Sequence, residues 1–148
     1  MGIKLSENSD VIRVISRLDD CIQCVDSEYE KYLETLDESL LQLSGESEPV
    51  RFVMKTELNY KAQRQIKKDQ VSVSTEGGMG FNMGFTMLDV RLSLIDIENS
   101  TSPKLSFSKG KDGLADEDLV ARLDSYGIAQ DLYTARQHAI KPAISKKN

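Results

Sequence analysis

From Val11 to Leu43 apolar residues return at Val11, Ile15, Leu18, Ile22, Val25, Tyr29, Tyr32, Leu36 and Leu43. The steps alternate between four and three residues and close with one of seven, with the small polar Ser39 as the interruption. That is the 3.5-residue period of a heptad helix. Positions 10–44 contain neither Gly nor Pro, Ser9 can cap the start, and Gly45 stands where a residue just past a helix end belongs. The pattern therefore predicts one helix over residues 10–44, its stripe widened by Ile12, Val14, Leu33 and Leu40. Such a helix would run roughly 52 Å, against a diameter of about 40 Å for a compact chain of this size. It is expected to overhang its own body and bury the nine residues named above against a helix of another subunit. The competing expectation is a break at Ser27, which forms an internal capping box with Glu30.

The next stretch alternates with a period of two. Val50, Phe52, Met54, Leu58, Tyr60, Ala62 and Ile66 occupy even positions among polar neighbours, as a half-buried strand requires, with Val53 as the exception. Beyond the polar residues 67–70 the apolar set moves to Val71, Val73, Met79, Phe81, Met83, Phe85 and Met87, facing an opposite row of small residues. The phase flips at Leu88 and again at Ile95, which a strand accommodates with β-bulges. Leu105 and Phe107 suggest a further short strand, and residues 109–113 carry turn chemistry. The segment Gly77, Gly78, Met79, Gly80, Phe81, Met83 and Phe85 reads first as a core strand, second as a flexible apolar binding loop, and third as a hairpin that inserts into a membrane. It lacks the lysine and hydroxyl of a phosphate-binding loop.

Near the end, Asp116 can cap a helix bearing Leu119, Val120 and Leu123 that stops at Gly127. Ile128, Leu132, Tyr133, Ala135 and Ala139 place a second helix before Pro142, followed by a flexible tail over residues 142–148. The pair has the rhythm of a helix-turn-helix, with Gln130, Thr134, Arg136, His138 and Lys141 on or near the second helix. The expected organisation is thus α+β: a long heptad helix in residues 1–48, antiparallel β structure in 49–114, a helical hairpin in 115–141, and the tail.

Charge changes this picture only in part. Residues 1–48 hold twelve acids and four bases, residues 49–114 seven acids and ten bases, and the remainder five of each. A net charge of −5 with an acidic front argues against a nucleic-acid-binding surface. No window of 18 apolar residues suggests a membrane span, and no secretion signal opens the chain, so a cytoplasmic location is expected.

Candidate chemistry is sparse. Cys21 and Cys24 form a CxxC without a preceding strand or a second ligand pair, which fits inert thiols better than a redox or zinc site. His138 is the single histidine, too few for most metal sites and His-dependent triads. Asp112, Asp116 and Asp118 lack the ligand order of a calcium loop. No catalytic residue, cofactor or metal is assigned. The sequence points to a non-enzymatic assembly subunit, a homo-oligomer or the binder of a partner helix. Its rivals are a DNA-binding regulator and a membrane-active protein.

Overall fold

Residues 11–58, residue 64 and residues 81–146 are described by a computed structural model of the chain. The run Val11-Ile12-Arg13-Val14-Ile15 is rich in β-branched residues, whose stiff side chains suit a pleated strand. It opens the fold as strand β1 (Val11–Val14), not as a helix. The chain then turns, forms helix α1 (Asp26–Thr35), makes a short 3₁₀ turn at Glu38–Leu41, and returns as strand β2 (Arg51–Lys55). Helix α2 (Phe81–Ser93) runs directly into strand β3 (Leu94–Glu98). A second 3₁₀ turn (Pro103–Leu105) precedes helices α3 (Glu117–Ser125) and α4 (Ile128–Lys146). The molecule is therefore α+β, with four α-helices and a three-stranded antiparallel sheet of order β1-β2-β3 among the described residues.

The long heptad helix expected over residues 10–44 is overturned. Among the described residues of that range only 26–35 form an α-helix, and the overhang that called for a partner helix disappears with it. The heptad spacing arose from joining two different elements. Val11 and Ile15 belong to the strand and its end, while Tyr29, Tyr32 and Leu33 form the buried face of a genuine short helix. The Ser27 break is also displaced: the N-cap is Val25, whose side chain makes no capping bond, and Ser27 lies inside the first turn. Leu36, in the left-handed conformation at φ 57°, ends the helix.

The strand expected through residues 79–87 is a second correction, since 81–93 are helical. Thr86, Asp89, Val90 and Ser93 recur at helical spacing and are all buried. Three of these four inward residues are polar, so the helical period was invisible to a reading of apolar positions alone. What looked like a phase flip at Leu88 is the turn of a helix. A bulge does occur further on: Val53 pairs with Asp96 but Met54 with Leu94, leaving Ile95 as the extra residue. Leu105 lies in the second 3₁₀ turn, and the one β pairing beyond β3 among the described residues is the bridge between Lys109 and Ala115. The alternation from Val50 is a real strand for five residues, with Phe52, Val53 and Met54 buried. Its extension through Tyr60, Ala62 and Ile66, and the readings of Val71, Val73, Gly77, Gly78, Met79 and Gly80, lie outside the described residues.

α4 packs on α1, α2, α3 and β1, and closes the core. Leu119, Val120 and Leu123 from α3 meet Ala129, Leu132 and Ala135 from α4, with Val14, Phe52, Met54 and Leu94 from the sheet. The last helix also runs further than its expected stop before Pro142. The backbone stays helical through Lys146, past Pro142, although proline gives up one main-chain hydrogen bond there.

The α3–α4 corner depends on Gly127, whose φ of +79° is one that side-chain-bearing residues rarely adopt. A Cβ at this position would meet nothing within 4 Å, so the cost of adding one lies in the backbone alone. Gly127→Ala should lower stability by about 1 kcal/mol, seen as a reduced thermal midpoint. An unchanged midpoint would show that the corner relaxes.

Candidate protein-contact surface

The nine residues expected to form an intersubunit seam fall into separate environments. Ile15, Tyr29 and Tyr32 are buried inside one copy of the chain. Ile22, Leu36 and Leu43 are half-buried and pack on the same core, and Val11 is half-buried on β1. Leu18 and Val25 are different: they expose 59% and 65% of their surface. The structure does not bring the nine together as one ridge. It leaves two on the outside.

These two sit on a connection that is fixed rather than loose. Leu18 N–H donates to Ser16 Oγ at 3.1 Å, and Asp19 N–H to the Ser16 carbonyl at 3.0 Å. The Asp19 carboxylate accepts from Cys21 N–H at 2.9 Å and from Val50 N–H at 2.8 Å, joining the turn to the entry of β2. Gln23 and Cys24 both donate to the Leu41 carbonyl, and Ser44 N–H donates to that of Cys21. Cys21 is buried with its thiol 3.4 Å from both oxygens of Ser47, and both cysteines are free. Backbone held at this many points carries its apolar side chains outward in one geometry.

Arg17 ties the turn to α1 and α4. Its guanidinium lies 4.7 Å from the centre of the Tyr29 ring, 3.2 Å from Glu30 and 3.5 Å from Asp131. The Tyr29 hydroxyl donates to the Ile15 carbonyl at 2.7 Å and approaches Asp131 at 3.4 Å, while the Tyr32 hydroxyl accepts from Ile15 N–H at 2.9 Å. Burial pushes the Asp131 carboxyl up, against the pull of Arg17 and Tyr29. Leu18 follows Arg17 directly, and Val25 accepts the Tyr29 N–H bond one turn earlier in the helix. Leu18 and Val25 thus lie in the chain between Arg17 and Tyr29, the two ends of this contact.

The other candidates resolve differently. Arg136, read as a DNA-facing residue, is buried: it bonds Asp89 at 2.5 Å and donates to the carbonyls of Lys55 at 2.8 Å and Thr56 at 3.1 Å. Its charge is spent inside the fold. Burial pushes the Asp89 carboxyl up while Arg136 opposes, and Asp89 Oδ2 has no hydrogen-bond partner among the described residues. This pair escaped the sequence reading because Asp89 sits among residues that alternate like a strand. Phe81, Met83 and Phe85 lie in α2, so the hairpin proposed for lipid insertion is not formed there. No helix of the described residues is long and apolar enough to cross a membrane. Among the same residues no group of three or more His, Cys, Asp or Glu side chains could hold a metal ion.

Set beside protein-family models, curated proteins and solved structures, the chain matches none.

Proposed function

We propose that the chain is a non-enzymatic assembly subunit that binds another protein through the rigid turn carrying Leu18 and Val25. The supporting observation is the exposure of these two large aliphatic side chains on a connection fastened to β2, α1 and α4. Single exposed aliphatic side chains are common on protein surfaces, but both of these stand on one fastened connection, which preorganises them for a partner. The free thiols of Cys21 and Cys24 fit a reducing compartment such as the cytoplasm.

The test is the mass of the native particle, alone and in cell extract. The wild type should run larger than one chain in extract, and Leu18→Ser with Val25→Ser should return it to the mass of one chain. Both side chains are exposed, so the double variant should keep its thermal midpoint, with each change worth no more than about 0.5 kcal/mol. A wild type that runs as one chain in both settings would refute the proposal.

A further inference from the structure

We infer that Asp131 and Arg136 form a two-point lock that holds α4 in one register against the rest of the chain. The apolar face of α4 does little to choose that register. Ala129, Leu132 and Ala135 are buried on it at intervals of three residues. Sliding the helix by three residues therefore still lays apolar side chains where apolar side chains lay, and only their differences in volume resist.

The polar contacts are far less tolerant. Arg136 donates from Nε to the Lys55 carbonyl, from Nη1 to Asp89 and from Nη2 to the Thr56 carbonyl, so one planar fork is held by α2 and by the end of β2 at once. Asp131 faces the front of the chain, 3.5 Å from Arg17 and 3.4 Å from the Tyr29 hydroxyl. Five residues apart on one helix, the two side chains point roughly 140° apart around the axis and stand about 7.5 Å apart along it. α4 thus offers an anion to one flank and a cation to another. The same three-residue slide would bring Tyr133 or Ala139 to Asp89, and Ile128 or Thr134 to Arg17. The buried Asp89 carboxylate would then have no counter-charge, a far larger penalty than a mismatch of apolar volumes.

The Asp89–Arg136 pair is poorly arranged for stability alone. Asp89 Oδ2 has no partner among the described residues, and a partly satisfied buried pair is often no more stable than apolar side chains of the same volume. What the pair supplies is direction: its three bonds exist in one placement of α4 and vanish in its neighbours.

The test is amide hydrogen exchange and the amide spectrum of the ¹⁵N-labelled full chain. Asp89→Leu with Arg136→Met removes one point of the lock. Its far-ultraviolet circular dichroism should stay native, while α4 amides exchange about tenfold faster relative to those of α3, or split into two sets of resonances. Arg17→Gln with Asp131→Asn removes the other point, at the partly exposed flank, and should raise the same ratio about threefold. Glu38→Gln with Arg51→Gln deletes an ion pair that does not involve α4 and should leave the ratio unchanged. A single set of α4 resonances with the wild-type ratio in both lock variants would overturn the inference, as would an equal rise in the Glu38–Arg51 control. Should Asp89→Leu with Arg136→Met not fold, Arg17→Gln with Asp131→Asn decides by the same two readings, and an unchanged ratio there overturns it.

Discussion

Replacing Arg136 by alanine should destabilise the fold by about 3–5 kcal/mol, measured as a shift in the urea midpoint. Asp89, 2% exposed, would be left inside the protein with no counter-charge, and the carbonyls of Lys55 and Thr56 would each lose a donor. The deficit should depend on pH. Burial already raises the Asp89 carboxyl pKa, and loss of the guanidinium raises it further. The folded variant then holds a proton that the unfolded chain releases above about pH 4, so its stability rises as pH falls from 7 toward that value. The gap between variant and wild type should narrow accordingly. Changing both partners, Asp89→Leu with Arg136→Met, should recover part of the loss, because the buried charge is removed with its partner while the carbonyls stay bare. A full loss that ignores pH would place the effect in packing rather than charge.

The second large effect is expected in alkali. Tyr29 and Tyr32 are buried, and burial raises both phenols, Tyr32 to about 12 and Tyr29 further, with the Asp131 charge adding to the latter. In the unfolded chain they ionise near the usual value of about 10. Their contribution is therefore intact below about pH 10 and is lost as pH rises through the folded values. For Tyr32 alone that interval is worth on the order of 3 kcal/mol. Stability should fall steeply above about pH 10, and two of the five tyrosines should show tyrosinate absorbance only as the chain unfolds. Smooth titration of all five while the far-ultraviolet circular dichroism stays native would contradict the buried hydroxyl network. Tyr32→Phe should flatten part of the alkaline slope and, because Ile15 N–H then lacks its acceptor, cost about 1–3 kcal/mol at neutral pH.

What the chain reveals about its own fold depends on whether inward positions are apolar. α3 could be read, since Leu119, Val120 and Leu123 face the core and Gly127 marks the corner. α2 could not, because Thr86, Asp89 and Ser93 point inward and are satisfied by partners far away or by the helix itself, as when Ser93 Oγ donates to the Asp89 carbonyl. The front segment misled for the opposite reason: its apolar residues were all present at helical spacing, but Asp19 bends the chain between them. The bend is secured by Val50, 31 residues on, and no local pattern carries that information. The proposed contact surface was half legible. Leu18 and Val25 stood among the nine predicted interface residues, yet only the bend separates them from the six that the core claims.

One feature of α4 bears on how the protein is made. Lys55 waits for Arg136 across 81 residues and Tyr29 for Asp131 across 102. On a ribosome adding about 5–20 residues per second, that second interval lasts roughly 5–20 s. Throughout it, the aliphatic side of β1 and the tyrosine face of α1 emerge without the helix that will cover them. The newborn chain thus passes through a sticky interval in which holdase chaperones would find their substrate, and this core closes only once α4 has been made rather than step by step.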